Sequence, residues 1–152
     1  MPVNLFSAIF PPDDVVEELH DALRPFRSAY PRLRWLHPTR WHVTVRFFGG
    51  TEPVDPLGGL DRVAAPVLRL RGSGTFRQVL WIGVDGALAE LGEAAHVPPD
   101  WHPHLTVARG VVLPHVEFTG REWTATEVAL VASRPVEGYA VLDRVPLSTS
   151  NA

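Results

Sequence analysis

Apolar positions along the chain come in short runs, many alternating with polar ones, broken at close intervals by proline and glycine. Val3 to Phe10 is an apolar run ending at Pro11-Pro12, the pattern of a buried strand. Asp13 and Asp14 then precede Val15, Val16, Leu19, Leu23 and Phe26, whose spacing predicts a helix ending near Pro31. Leu33 to Leu36 reads as a short strand, and His42 to Phe48 as a stronger one closed by Gly49-Gly50. Leu57 to Ala65 suits a short helix weakened by Gly58 and Gly59. Val67 to Arg71 alternates, Gly72-Ser73-Gly74 predicts a hairpin turn, and Val79 to Val84 is strand again. A second helix is expected over Ala87 to Ala95. His104 to Ala108, Trp123 to Ala132 and Tyr139 to Leu147 complete the strands. Strand pairs interrupted by two or three helices predict an α+β fold with antiparallel sheet. No linker or low-complexity stretch divides residues 1–152, so a single domain is expected.

Composition narrows the chemistry. All 14 basic residues are arginine, so lysine and cysteine are both absent. Without cysteine there is no disulfide framework, thiolate nucleophile or cysteine-ligated zinc. Without lysine there is no Schiff base, no lysyl-nucleotide intermediate and no P-loop. Seven histidines are the remaining side chains that titrate near neutral pH. A net charge of −3 argues against a broad nucleic-acid surface but leaves room for an arginine-lined cleft. No apolar run approaches the ~18 residues of a membrane span, and no leader pattern opens the chain. A cytoplasmic protein without membrane contact is expected.

One pattern repeats. His42-Val43-Thr44-Val45 recurs as His104-Leu105-Thr106-Val107, 62 residues later, and both copies lie in expected strands. Side chains alternate across a strand, so each histidine shares a face with its threonine while the valines and leucine face a core. Two imidazoles on neighbouring strands suit proton transfer, one accepting while the other donates. A threonine hydroxyl beside each is a short donor for a phosphoryl oxygen. A single H-x-T in a strand is commonplace. Two copies in the same facing pattern are not.

These residues resemble the 2H phosphoesterase superfamily, defined by paired H-x-[ST]-x motifs, and within it the RNA 2′,3′-cyclic phosphodiesterases also known as 2′-5′ RNA ligases. Residues 6–12 are similar to that family's opening strand and turn, and Trp41 through Gly49 to its first signature. Phe76 through Val84 resembles its central strand, Pro103 through Gly110 its second signature, and Ala129 through Leu147 its closing strand pair. The stretch from Asp85 to Trp101 is short for the family, which implies a trimmed helix in the second lobe. The resemblance implies two antiparallel sheets, related by a pseudo-two-fold axis, around a central cleft.

It also implies hydrolysis of an RNA 2′,3′-cyclic phosphate to a 2′-phosphomonoester, with no metal and no cofactor. His42 would be proton donor to the leaving 3′ oxygen and His104 proton acceptor from water, while Thr44 and Thr106 hold the non-bridging oxygens. The substrate would be an RNA end or a small cyclic nucleotide, bound by a monomer, with at most weak reverse 2′-5′ ligation. Arg46, four residues after His42 on the same strand face, can reach phosphate. Phe48 continues that face and can stack on a base. Arg109 is favoured by the resemblance but has the wrong parity relative to His104 unless a bulge intervenes. The tryptophans at 35, 41, 81, 101 and 123 are expected chiefly as core or rim packing, although Trp41 and Trp101 flank the motifs and either could line the cleft mouth. His102, His104 and His115 lack a carboxylate or cysteine at ligand spacing, so no metal site is expected. His20, His37 and His96 are expected on the surface. Two other functions fit the same sequence: a 2H phosphodiesterase for another cyclic phosphate or a 2′-5′ oligonucleotide, and a non-catalytic RNA-end-binding module.

Overall fold

Pro11 and Pro12 end the first strand, β1 (Asn4–Ile9), and the chain turns into α1 (Asp13–Ala29). Val15, Leu19 and Leu23 recur at helical spacing and are fully buried, so this stripe anchors α1 to the core. Asp13 and Asp14 occupy its first turn, where carboxylates favour the helix dipole. The elements follow one another as β1, α1, β2 (Arg34–Trp35), β3 (Val43–Gly49), β4 (Val67–Phe76), β5 (Val79–Gly86), α2 (Ala89–Ala94), β6 (His104–Arg109), β7 (Thr119–Thr124), β8 (Glu127–Arg134) and β9 (Gly138–Pro146). This architecture comes from a computed structural model that describes residues 3–149. No helix among them is long and apolar enough to cross a membrane.

The strands form an antiparallel sheet in the order β7-β4-β5-β6-β3-β1-β8-β9, with β2 added beside β6. The α+β class and the two antiparallel lobes are as the sequence implied. One half is β7-β4-β5-β6 and the other β3-β1-β8-β9, and each half places its H-x-T strand innermost. A helix leads into each motif strand region, and α2 spans only six residues. Among the described residues, β3 and β6 meet through a single residue pair, Val43 with Leu105.

The sheet must curl. Strand β7 lies at one end and β8 near the other, yet only Ala125 and Thr126 separate them in the chain. Laid flat, six strand spacings would put them ~29 Å apart, whereas three backbone steps reach ~11 Å at most. Backbone hydrogen bonds from the Ala65 N–H to the Ser148 carbonyl and from the Ser148 N–H to the Val63 carbonyl tie the chain entering β4 to the chain leaving β9 and fasten this closure. Val43, Val45, Leu105 and Val107 are all buried in the main core together with the apolar stripe of α1. A smaller cluster of Phe6, Ala8, Ala129 and Val131, with Phe10 and Tyr139 against it, is separate from that core.

Three local expectations are corrected. Gly72-Ser73-Gly74 is not a turn but lies within the ten-residue β4, where Gly72, at φ +70°, makes a bulge opposite β5. The hairpin turn falls instead at Arg77-Gln78, because the bulge lets β4 bend and continue pairing. Leu57 to Ala65 forms turns and a single 3-10 turn over Leu60–Arg62, Gly58 and Gly59 being too costly for a longer helix. Trp123 to Ala132 is two strands in different lobes, broken at Ala125-Thr126 where the chain crosses between them.

Candidate active site

The register at the seam arranges the two motifs. Val43 lies opposite Leu105 in antiparallel pairing. Moving one residue either way sets His42 across from Thr106 and Thr44 across from His104. All four side chains then lie on the face opposite the buried Val43 and Leu105. They are half-buried. One cavity of about 300 Å³ is lined by all four, together with Arg109 and Tyr139. A larger space of about 960 Å³ adjoins it, sharing Thr44, Phe47, His104, Thr106 and Arg109.

The imidazoles are held alike. His42 Nδ1 lies 2.8 Å from the carbonyl oxygen of Arg40, and His104 Nδ1 lies 2.7 Å from that of His102. A carbonyl can only accept, so each Nδ1 carries a hydrogen and donates it. In the neutral ring the lone pair is then on Nε2 in both histidines. Each motif strand therefore presents one imidazole of the same tautomer.

A second symmetry is invisible in the motif itself. Strand β3 bulges between Thr44 and Arg46, so that Val45 is the extra residue opposite Ser7 and Ala8 of β1. Strand β6 bulges at the equivalent place, with Val107 extra opposite Leu80 and Trp81 of β5. Each bulge shifts side-chain parity by one beyond its threonine. That brings Arg109 into both cavities, resolving its parity in favour of the site. It likewise brings in Phe47, the counterpart of Arg109 at the 62-residue offset, and Phe47 is 63% exposed. Phe48, expected on this face, is turned away from it and lines a neighbouring hollow beneath Arg46. Arg46 lies at the edge of the larger space, its Nη1 donating to the Ala95 carbonyl at 3.3 Å. Ser7 Oγ accepts from the Arg46 backbone N–H at 3.2 Å, and Ser7 is itself buried. This hydroxyl satisfies the donor that the β3 bulge removes from the ladder.

The two histidines differ in surroundings. The His42 ring stacks on Phe6 at 4.8 Å and meets Tyr139 edge-on at 5.4 Å, with Phe10 at 5.8 Å. Burial in this aromatic setting holds its pKa below the ordinary histidine value. The Arg40 carbonyl opposes the shift and the nearby charge of His104 adds to it. His104 instead sits beside Trp81, at 6.0 Å, and stacks on His102 at 5.9 Å.

Of the flanking tryptophans, Trp101 lines the larger space and donates from Nε1 to the Thr44 carbonyl at 3.2 Å, tying the loop after α2 to β3. Trp41 does not reach the cleft; it is core, 2% exposed, with His20 against it at 6.2 Å. The alternation of β3 explains this, since Trp41 shares parity with Val43. His20 is accordingly half-buried rather than on the surface. His37 is exposed and takes the Thr39 N–H, and His115 is exposed and lines neither cavity. Among the described residues, no group of three or more histidines and carboxylates is arranged to hold a metal. Phe6, Trp81 and Tyr139, from segments that resemble the family outside the H-x-T motifs, join the site, and so does His96. The first three arrive through strand order and His96 through the end of α2 packed beside Arg46, and no local sequence pattern records either.

No family model and no curated protein matches the chain. Solved structures do. TT0787 of Thermus thermophilus is 28% identical, covers 98% of this chain and 100% of its own, and has a TM-score of 0.69. Escherichia coli LigT in complex with NADP+ is 25% identical over 99% of this chain and 100% of that one, with a TM-score of 0.74. The same LigT in complex with phosphate matches with a TM-score of 0.72 at 25% identity, over 97% and 98% of the two chains. Two half-sheets, each led by an H-x-T strand, on a fold shared end to end with LigT, make this chain a structural relative of the 2H phosphoesterases, as its motifs implied.

Proposed function

We propose that the chain hydrolyses RNA 2′,3′-cyclic phosphate ends, or small 2′,3′-cyclic nucleotides, to 2′-phosphomonoesters without a metal. The observation that carries this reading is the matched pair of Nδ1–H bonds to carbonyls two residues upstream, which leaves Nε2 of both imidazoles free for proton transfer in one cavity. In the reactive state His42 is protonated on both nitrogens and His104 is neutral. Water attacks phosphorus and gives a proton to His104 Nε2. The bond from phosphorus to O3′ breaks, and O3′ takes the Nε2 proton of His42. Solvent then returns both rings to their starting states. Thr44, Thr106 and Arg109 donate to the non-bridging oxygens as charge accumulates there. The lowered pKa of His42 makes its imidazolium a stronger acid toward the leaving oxygen, and an anionic phosphate beside it favours the protonated ring.

The complexes of LigT with NADP+ and with phosphate support a nucleotide phosphate as the bound group. Ligation through a 2′-5′ bond is the reverse reaction. In ~55 M water it stays weak unless the two RNA ends are held together. The test is 2′,3′-cyclic AMP incubated with the protein in EDTA. The 2′-monophosphate is expected. Formation of the 3′-monophosphate overturns the leaving-group assignment, and no turnover overturns the reading itself.

A further inference from the structure

The larger space beside the histidines does not end at the rim of β6. It continues into a hollow of about 630 Å³ between the loop after β3 and the end of α2. Three residues line both spaces: Arg46, Phe47 and His96. They form a waist, and two of the three carry hydrogen-bond donors suited to an anion. The acidic side chains nearby line one space each, Asp100 the inner and Asp55 the outer, and neither reaches this waist.

Both donors are held from behind. Arg46 gives one N–H to the Ala95 carbonyl and lays its guanidinium over the Phe48 ring, 5.3 Å from the centroid. Arg46 is exposed and lines both spaces, so its other N–H groups are within reach of a ligand there. His96 follows Ala95 directly. It closes α2 in the left-handed conformation, at φ +59°, with its N–H bonded to the Glu93 carbonyl and that of Val97 to the Gly92 carbonyl. This helix-ending geometry is one where glycine is usual. A histidine there keeps an exposed imidazole beside Arg46 at a cost in backbone strain.

The geometry points to a second phosphate subsite at Arg46 and His96, which takes the phosphodiester on the 5′ side of the terminal nucleotide. An RNA strand then runs from the histidine cavity across the waist into the outer hollow, with Phe47 between the two. This rests on the reaction proposed above and adds to it a preference for oligonucleotide ends over cyclic mononucleotides. Cyclic mononucleotides lack the phosphate that Arg46 and His96 would hold.

The test compares a trinucleotide ending in a 2′,3′-cyclic phosphate with 2′,3′-cyclic AMP, in the wild type and in His96→Gly, His96→Asn and Arg46→Gln. Glycine suits the left-handed position, so His96→Gly removes the imidazole without disturbing the fold. The ratio of kcat/KM for trinucleotide over mononucleotide is expected to fall about tenfold in His96→Gly and in Arg46→Gln, through KM. His96→Asn, which keeps a donor, recovers part of the loss. The affinity of a 5′-labelled trinucleotide 3′-monophosphate, which is not turned over, falls in parallel, and Arg46→Gln lowers the slope of log K against log salt by about 0.7. Unchanged ratios and unchanged trinucleotide affinity in both variants overturn the subsite. Loss of trinucleotide affinity in these variants, when the wild type hydrolyses neither substrate, upholds the subsite and sinks the reaction instead.

Discussion

Val43 lies opposite Leu105, and among the described residues this is the one pair that joins β3 to β6. A longer ladder would flatten the seam into ordinary sheet and fill it with paired backbone. A single pair lets the strands diverge immediately after the motifs. The four motif side chains thus surround an approximate two-fold axis on one side while their apolar neighbours close the core on the other. The proposed chemistry follows from that divergence.

Replacing His42 or His104 by alanine is expected to lower kcat for cyclic phosphate hydrolysis by about 10² to 10⁴, the range of a lost general acid or base. The double variant should lose little more than either single one, because the two act as a unit. Single-turnover rates on 2′,3′-cyclic AMP measure this. Wild-type rates in either single variant would contradict two-histidine catalysis.

His42 should titrate below the ordinary histidine value, and its titration should move upward in His104→Gln, where the neighbouring charge is gone. Following the His42 ring signal by NMR against pH reads both shifts. The sign for stability follows from the same lowering. Just below pH ~6.5 the unfolded chain binds this proton more readily than the folded one, so acidification favours unfolding. The contribution is full above that pH and is lost as pH falls toward the folded pKa. Denaturant midpoints that do not fall across that window more in the wild type than in His42→Gln would contradict it.

The matched bulges predict an inversion of the simple alternation. Phe47→Ala and Arg109→Gln should each impair cyclic phosphate turnover, Arg109→Gln by about tenfold or more as a charge-assisted donor is lost. Phe48→Ala should act chiefly on stability, since the ring lies under Arg46 outside the histidine cavity. Arg24→Gln, on the helix surface beside Asp21, serves as the control for loss of positive charge. If Phe48→Ala lowers kcat/KM more than Phe47→Ala, the parity shift is not what directs the site.

Ser7→Ala leaves the Arg46 N–H without its partner in the bulge. A cost of about 1 kcal/mol in folding stability is expected. Thermal denaturation reads the loss, and Ser7→Thr, which keeps the hydroxyl, should restore part of it. A Ser7→Ala protein as stable as the wild type would mean that water replaces the hydroxyl.

Much of the site was legible in the chain. Strand periodicity alone oriented His42 with Thr44 and His104 with Thr106, and the repeat singled out two histidines among seven. The α1 stripe of Val15, Leu19 and Leu23 was equally plain, because helix period and burial coincide there. Alternation alone does not place Phe47 in the site and puts Arg109 on the opposite face, for one reason. A bulge depends on what the neighbouring strand offers the displaced backbone, such as the side-chain hydroxyl of Ser7 from 39 residues away, and not on the residue types at the bulge.

The sequence by itself determined that each motif histidine shares a face with its threonine and that the other face of each motif strand is apolar, because alternation is a local property of extended backbone. It also determined the absence of lysine and cysteine chemistry, which is a matter of composition. The tertiary structure alone decided what surrounds those side chains: a seam one pair wide, two parity-shifting bulges, an aromatic setting that depresses the pKa of His42, and a waist built from Arg46 and His96. The first three are set by strand order and cross-strand register, and the waist by the end of α2 packing against β3. Such relationships join residues tens of positions apart, and a linear pattern does not encode them.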